Sequence, residues 1–254
     1  VIRAIPLAVE TKGTTHDRAP PPRHHRDRGT VSGRIHFVRH AETLFNVNGQ
    51  LQGWCDSPLT ARGDAQAAAL GERMRDVPLA AAFMSDLTRT RTTMAAALAG
   101  HPHLEPVPLR ELREWHFGGW EGLPNAALWG PVFARLGHTY EPRSAAWAAI
   151  AASGFDGVID AIHEVDPLGR AETGADVSAR ISVALGAVIA ASEEAAVRGT
   201  GDVIVVTHGS VLGSLLRAIA PESRPPMGIP NCGIVSVSWQ DGTATLSDVD
   251  ATCA

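Results

Sequence analysis

A chain of 254 residues can bury one sizeable core, so a single domain with an insertion is the natural expectation. Hydrophobic content is an ordinary 44%, and no apolar stretch reads as long and pure enough to span a bilayer. The net charge of −5 argues against broad affinity for nucleic acid or anionic membrane, so an anionic partner must be held by locally placed cations.

Residues 1–33 read as a flexible N-terminal arm, with the Pro- and charge-rich run Ala19-Pro20-Pro21-Pro22-Arg23-His24-His25-Arg26 and no sustained apolar segment of the kind a signal peptide needs. A domain is expected over 34–254. It opens on Arg34-Ile35-His36-Phe37-Val38, a short apolar run that breaks into Arg39-His40-Ala41-Glu42-Thr43, the pattern of a buried parallel strand. Pro58-Leu59-Thr60 then leads into a helix over Ala61–Arg75, with Thr60 as N-cap and Ala65, Ala68, Ala69 and Leu70 on its apolar face. A second strand fits Ala81–Met84 and ends at Ser85, followed by a helix from about Leu87 to Ala99. A third, over Glu105–Leu109, precedes a polar and aromatic run, Arg110–Gly122.

Residues 123–170 break the alternation of strand and helix and read as a helical insertion. They hold Trp129, Phe133, Tyr140, Trp147 and Phe155, with three arginines (Arg135, Arg143, Arg170) against five carboxylates (Glu141, Asp156, Asp160, Glu164, Asp166). A long helix over Gly174–Arg198 returns the chain to a second strand, Asp202-Val203-Ile204-Val205-Val206, which breaks into Thr207-His208-Gly209-Ser210. A helix near Val211–Ala220 and two strands, Ile234–Trp239 and Thr243–Val249, close the chain. This order describes a three-layer α/β/α sandwich with a mostly parallel central sheet and a helical insertion over the active site.

Ligands of open parallel sheets collect at the carboxyl ends of the strands. If the two histidine-bearing strands run the same way, His40 and His208 meet at one sheet edge with Arg39 beside them. Two imidazoles and a guanidinium suit a phosphate dianion. Cys55, Cys232 and Cys253 lack metal-ligand spacing, and their odd number argues against a disulfide framework, so a reducing cytoplasm is the simpler setting.

Arg39-His40-Ala41-Glu42-Thr43, then Asn46, Gly49, Gln52-Gly53, Asp56 and Pro58-Leu59-Thr60 with Gly63, resemble the signature of the histidine phosphatase superfamily, also called phosphoglycerate mutase-like. The resemblance continues through Ser85-Asp86-Leu87-Thr88-Arg89 with Thr93, Leu112-Arg113-Glu114 with Gly118, and Trp120-Glu121-Gly122. It resumes at Glu172-Thr173 with Asp176 and Arg180, Thr207-His208-Gly209 and Asn231. It covers roughly residues 34–249 and is weakest across the insertion.

The resemblance implies a catalytic set of His40, Glu114, His208, Arg39 and Arg89. His40 matches the nucleophile that takes up the phosphoryl group, and Glu114 the acid that protonates the leaving oxygen. Arg39, Asn46, Arg89 and His208 match groups that hold phosphate oxygens, with Gln52, Gly53 and Gly209 beside them on the substrate side. Ala41 departs from the family's usual glycine, and fits unless the backbone there needs positive φ. At Gln52 the family's mutases carry a small hydroxyl residue and many of its phosphatases carry glutamine.

Other roles compete for several of these residues. Arg91 rivals Arg89, and Glu111 and Glu121 rival Glu114, although Glu121 in Trp-Glu-Gly suits a turn. Asn46 could only cap a loop, Glu172 and Thr173 could cap the long helix, and His36 reads as a packed strand residue. His116, His138 and His163 form no ligand pair, so neither metal nor cofactor is expected. The function expected from these residues is that of a phosphatase acting on small-molecule phosphomonoesters, without nucleic-acid or membrane partners; a homodimer is compatible with it. Alternatives are a phosphoglycerate mutase, a non-catalytic phosphate sensor and, with least support, a metal-dependent hydrolase.

Overall fold

The computed structural model describes residues 32–141, 154–221, 228–240, 243–251 and 253. Most of the arm, and Arg143 and Trp147 of the insertion, lie outside them. Six strands form one sheet: β1 (Ser32–Arg39), β2 (Leu79–Ser85), β3 (Val107–Leu109), β4 (Asp202–Thr207), β5 (Ile234–Gln240) and β6 (Thr243–Asp250). Their order is β3-β2-β4-β1-β5-β6. The first four run parallel, while β5 pairs antiparallel with both β1 and β6. β1 begins at Ser32, two residues before the strand start expected at Arg34. Gly33 there packs so closely on the long helix that a Cβ would lie 2.2 Å from Ser192 Oγ.

Side-chain alternation divides the core between the two faces of the sheet. Ile35, Phe37, Val203, Val205, Val235 and Val237 face one layer, and Val38, Ala82, Met84, Ile204, Val206 and Ile234 face the other. On the second face lie α2 (Ala61–Met74) and α3 (Thr88–Ala97). Thr60 caps α2 as expected, but the buried face is not the alanine stripe: Gly63, Gln66, Ala67, Leu70 and Met74 point inward. Gln66 can be buried because its Oε1 accepts the Glu42 N–H at 2.9 Å. His36 is a packed strand residue, with Nδ1 2.8 Å from Ser236 Oγ and Nε2 3.0 Å from Asp202 Oδ2.

The first face carries α6 (Gly174–Arg198) and α7 (Gly209–Ile219), with the insertion helices α4 (Asn125–Arg135) and α5 (Phe155–Val165) packed outside them. Leu128, Val132, Phe133, Ile159 and Ile162 join the same core as the sheet. Phe133 meets Tyr140 edge-on at 5.3 Å, and Trp129 packs partly buried against the cluster. By length and composition α6 could cross a membrane, which corrects the expectation that no stretch is long and apolar enough. Its Val177, Ile181, Ala184, Leu185 and Val188 are buried on the sheet. Thr173 closes a capping box with Asp176 at its start. A five-residue helix, α1 (Leu44–Asn48), has no counterpart among the predicted elements; Thr43 and Asn46 form its capping box and Gly49, at φ 65°, ends it.

Candidate active site

β1 and β4 are parallel neighbours, with Arg39 in register with Thr207, so the residues that follow them emerge at the same carboxyl edge. His40 and His208 lie there with ring centroids 5.3 Å apart, both buried. His40 Nδ1 is 2.8 Å from the Ala41 carbonyl, which can only accept, so Nδ1 carries the proton and Nε2 keeps its lone pair. Arg89 Nε donates to His208 Nδ1 at 3.1 Å, which places the His208 proton on Nε2. Ala41 has no positive φ, so its methyl group is accommodated at that position.

Burial first, and then the positive charges of Arg89 and Arg39, hold the His40 pKa well below the ordinary histidine value. His208 is lowered well in the same way, by burial first and then by Arg89 and the other cations. Both rings are therefore neutral near pH 7, as a nucleophile and a hydrogen-bond donor require. These shifts carry a stability consequence with a definite sign. As pH falls below about 6.5, the unfolded chain takes up protons that the folded chain refuses. The contribution is thus complete above that pH and is lost on acidification, by about 1.4 kcal/mol per histidine per pH unit while the folded rings stay neutral. Urea midpoints should fall between pH 6.5 and 5, and His208→Asn should lower that slope by about half. A midpoint independent of pH over this window would contradict the neutral assignment.

Arg39 donates from Nη1 to the Ile229 carbonyl at 2.7 Å, while its Nε is buried without an acceptor. His208 Nε2 is likewise buried without a partner. Buried donors of this kind are costly, and two at one sheet edge are a pair that an anion's oxygens can satisfy. Gly209 leaves the room: a Cβ there would come within 3.4 Å of Arg39 Nε.

Of the two rival arginines, Arg91 is exposed, whereas Arg89 is 1% exposed and reaches His208. All five Arg89 donors have protein acceptors: His208 Nδ1, the carbonyls of Gln52, Gly53 and Cys55, and Asp56 Oδ1. Arg89 therefore shapes the 52–56 loop and orients His208, and it has its charge but no free N–H to offer a ligand. Gln52 and Gly53 also bond within the protein. The Gln52 amide accepts from Thr43 Oγ1 at 2.6 Å and donates to Ser57 Oγ at 3.0 Å, and Gly53 N–H donates to Glu121 at 3.0 Å. A Cβ on Gly53 would fall 2.2 Å from Glu121 and 2.3 Å from the Trp115 carbonyl. Gly53 builds the loop, and Gln52 does so through its amide oxygen and one of its two amide N–H groups. Asn46 uses its Oδ1 for Thr43 N–H and for Asn231 Nδ2, leaving its amide N–H groups for a ligand.

Glu114 is buried and inside the site. Its carboxylate accepts the N–H groups of Trp115 (3.0 Å), Ser210 (2.9 Å) and Val211 (3.0 Å), so it caps α7 from a distant loop. It also offsets the positive charge of Arg39 and Arg89. Its rival Glu121 is a brace, taking the N–H groups of Gly53, Trp54, Cys55 and Phe117. Asn231, matched by motif but given no role from the sequence, donates to the His40 carbonyl at 3.0 Å and ties it to Asn46. Cys232 follows at φ 57°, the one non-glycine at positive φ among the described residues, and its N–H donates to the Arg39 carbonyl. Among those residues no group of three or more His, Cys, Asp or Glu is placed to hold a metal ion.

The profile of the histidine phosphatase superfamily (branch 1) matches residues 35–252. A 2,3-bisphosphoglycerate-dependent phosphoglycerate mutase of Gloeobacter violaceus is 40% identical over 92 residues, 35% of this chain and 42% of the relative's own length. Among solved structures, a phosphoglycerate mutase from Bacillus anthracis superposes with a TM-score of 0.77 at 30% identity, covering 87% of this chain and 93% of that one. A mycobacterial glucosyl-3-phosphoglycerate phosphatase superposes with a TM-score of 0.62 at 25% identity, covering 86% and 98%.

Proposed function

The chain belongs to the histidine phosphatase superfamily, and from that premise we propose that it is a phosphatase, hydrolysing small-molecule phosphomonoesters through a phosphohistidine on His40. The observation that carries this reading is the pair of buried donors without acceptors, Arg39 Nε and His208 Nε2, beside a neutral His40 whose Nε2 keeps its lone pair. Phosphoryl transfer asks for little more than a nucleophile in line with the leaving oxygen and positive charge around the equatorial oxygens. His40 Nε2 attacks phosphorus, the P–O bond to the alcohol breaks, and the alkoxide takes a proton from Glu114, a carboxylate before substrate arrives that is protonated from solvent as the ester dianion binds. Water then attacks the phosphohistidine with Glu114 as base, returning free His40 and inorganic phosphate. Arg39 and His208 hold the transferring oxygens throughout, with Asn46 as a further donor.

A mutase is the second reading, favoured by the names of two of the relatives above. It must also grip a substrate carboxylate; of the two described arginines of the insertion Arg135 is paired with Glu164, and in its sequence five carboxylates face three arginines. Gln52, glutamine in many of the family's phosphatases, points the same way. We assign the insertion the choice of alcohol group. Comparing phosphate release from a mixed panel of esters with isomerisation of 3-phosphoglycerate tests the reading, and isomerisation faster by a wide margin overturns it. In the same assay vanadate and inorganic phosphate should compete with substrate, and EDTA should leave the rate unchanged. A loss on chelation restored by one divalent ion would contradict the proposed chemistry.

A further inference from the structure

The segment that carries Glu114 has no backbone ladder of its own. It runs between two single turns of 3-10 helix, Arg110–Leu112 and Gly118–Trp120, with neither strand nor helix over 113–117. Such a segment must be held by side chains or it will wander. Here one side chain does most of the holding. Arg180, from the first turns of α6, donates Nη1 to the carbonyls of Glu111 (2.9 Å) and Arg113 (2.6 Å) and Nη2 to that of Glu114 (3.0 Å). Its Nε and Nη2 also meet Glu172 at 2.7 and 2.9 Å, a bidentate pair in which both side chains are largely buried. Glu172 closes the bracket by accepting the His116 N–H at 2.9 Å. Trp54 Nε1 adds a second donor to the Glu114 carbonyl at 2.9 Å.

We infer that Arg180, clamped by Glu172, is a positioning residue that fixes Glu114 for proton transfer to the leaving oxygen, an inference that rests on Glu114 being the acid proposed above. The planar guanidinium alone among side chains can reach three carbonyls and a carboxylate at once; a lysine ammonium has three donors on one atom. Arg180 touches neither imidazole, so its loss leaves the donors for the phosphoryl oxygens in place. What it changes is where the Glu114 carboxyl stands, and a displacement of about 1 Å can cost about a hundredfold in rate. A group that acts only on proton delivery should matter in proportion to how badly the leaving group needs a proton.

The test is the ratio of kcat on an alkyl phosphate to kcat on p-nitrophenyl phosphate, whose leaving group hardly needs a proton. Arg180→Lys and Arg180→Gln should lower this ratio roughly tenfold or more. The inhibition constant for vanadate and the thermal midpoint, measured alongside, report on the anion site and on the fold. If neither Arg180 variant folds, Glu172→Gln decides the matter, since it keeps the bracket's shape with weaker bonds and should move the ratio in the same direction by less. Equal losses on the two substrates, or a vanadate constant that rises in step with the loss of rate, would mean that Arg180 only supports the fold. Glu114→Gln is run as the reference. A ratio moved by Glu114→Gln but not by the bracket variants overturns this inference alone, while a ratio unmoved by Glu114→Gln removes the acid assignment and the inference with it.

Discussion

His40→Ala should remove turnover while leaving the fold in place, with kcat falling by at least ~10⁴-fold. The ring is a small part of the packing, and its loss sacrifices one hydrogen bond, from Nδ1 to the neighbouring Ala41 carbonyl. The backbone of residue 40 is fixed independently of the side chain, by its N–H to the Thr207 carbonyl at 2.9 Å and by Asn231 Nδ2 on its own carbonyl at 3.0 Å. Removing a buried ring beside two arginines relieves desolvation, so stability near pH 7 should change little beyond the cavity left behind. Catalysis has no such reserve. Among the described residues no other imidazole shares the edge except His208, whose Nδ1 is occupied by Arg89 and whose Nε2 bears the proton. Brief incubation of the wild type with ³²P-labelled substrate and acid-free quenching should trap an acid-labile label in the peptide containing His40. Substantial hydrolysis by the alanine variant, or a label on another residue, would end the phosphohistidine mechanism.

The two histidine-bearing strands are legible in the sequence because their apolar runs and polar breaks follow from local rules: burial on both faces from 35 to 38 and 203 to 206, then a switch to residues with chemistry to perform. Pairing of the two strands through parallel register then follows from topology. What sequence does not show is support supplied from far along the chain. Local pattern starts α7 at Val211, but it begins at Gly209 because Glu114, 96 residues before Ser210, caps its first N–H groups. α3 begins at Thr88, whose N–H goes to Asp56 in the site loop at 2.6 Å. In α2 the alanines suggest one phase and the helix takes another, because a glutamine amide can be buried where a backbone N–H needs it. The same logic separates the site residues. His40, His208 and Arg39 lie together at the sheet edge to which the two strand ends point, and Glu114, marked by the family resemblance, caps α7 beside them. By contrast Gln52, Gly53 and Arg89, expected to contact a ligand, make most of their hydrogen bonds to the loop and its neighbours. For α1 a local signal exists, Thr43 and Asn46 three apart with Gly49 behind them.

Glu114→Gln should cut kcat on alkyl phosphates by about 10²–10⁴-fold, the usual worth of a general acid, with a much smaller loss on p-nitrophenyl phosphate. The substitution is nearly isosteric, yet it alters one of three bonds that hold the side chain. Glu114 Oε1 accepts from two N–H groups and Oε2 from one, all at 2.9–3.0 Å. A glutamine can keep the pair at Oε1 but must turn an N–H₂ toward the Ser210 N–H, exchanging an attraction for a repulsion at the start of α7. The variant also removes a negative charge that offsets Arg39 and Arg89. Left more positive, the site should bind vanadate at least as tightly as the wild type does. Rate and anion affinity are thus expected to move in opposite directions, which a general loss of structure cannot produce. A weaker vanadate constant together with equal losses on both substrates would take Glu114 out of the chemistry and leave it as the cap of α7.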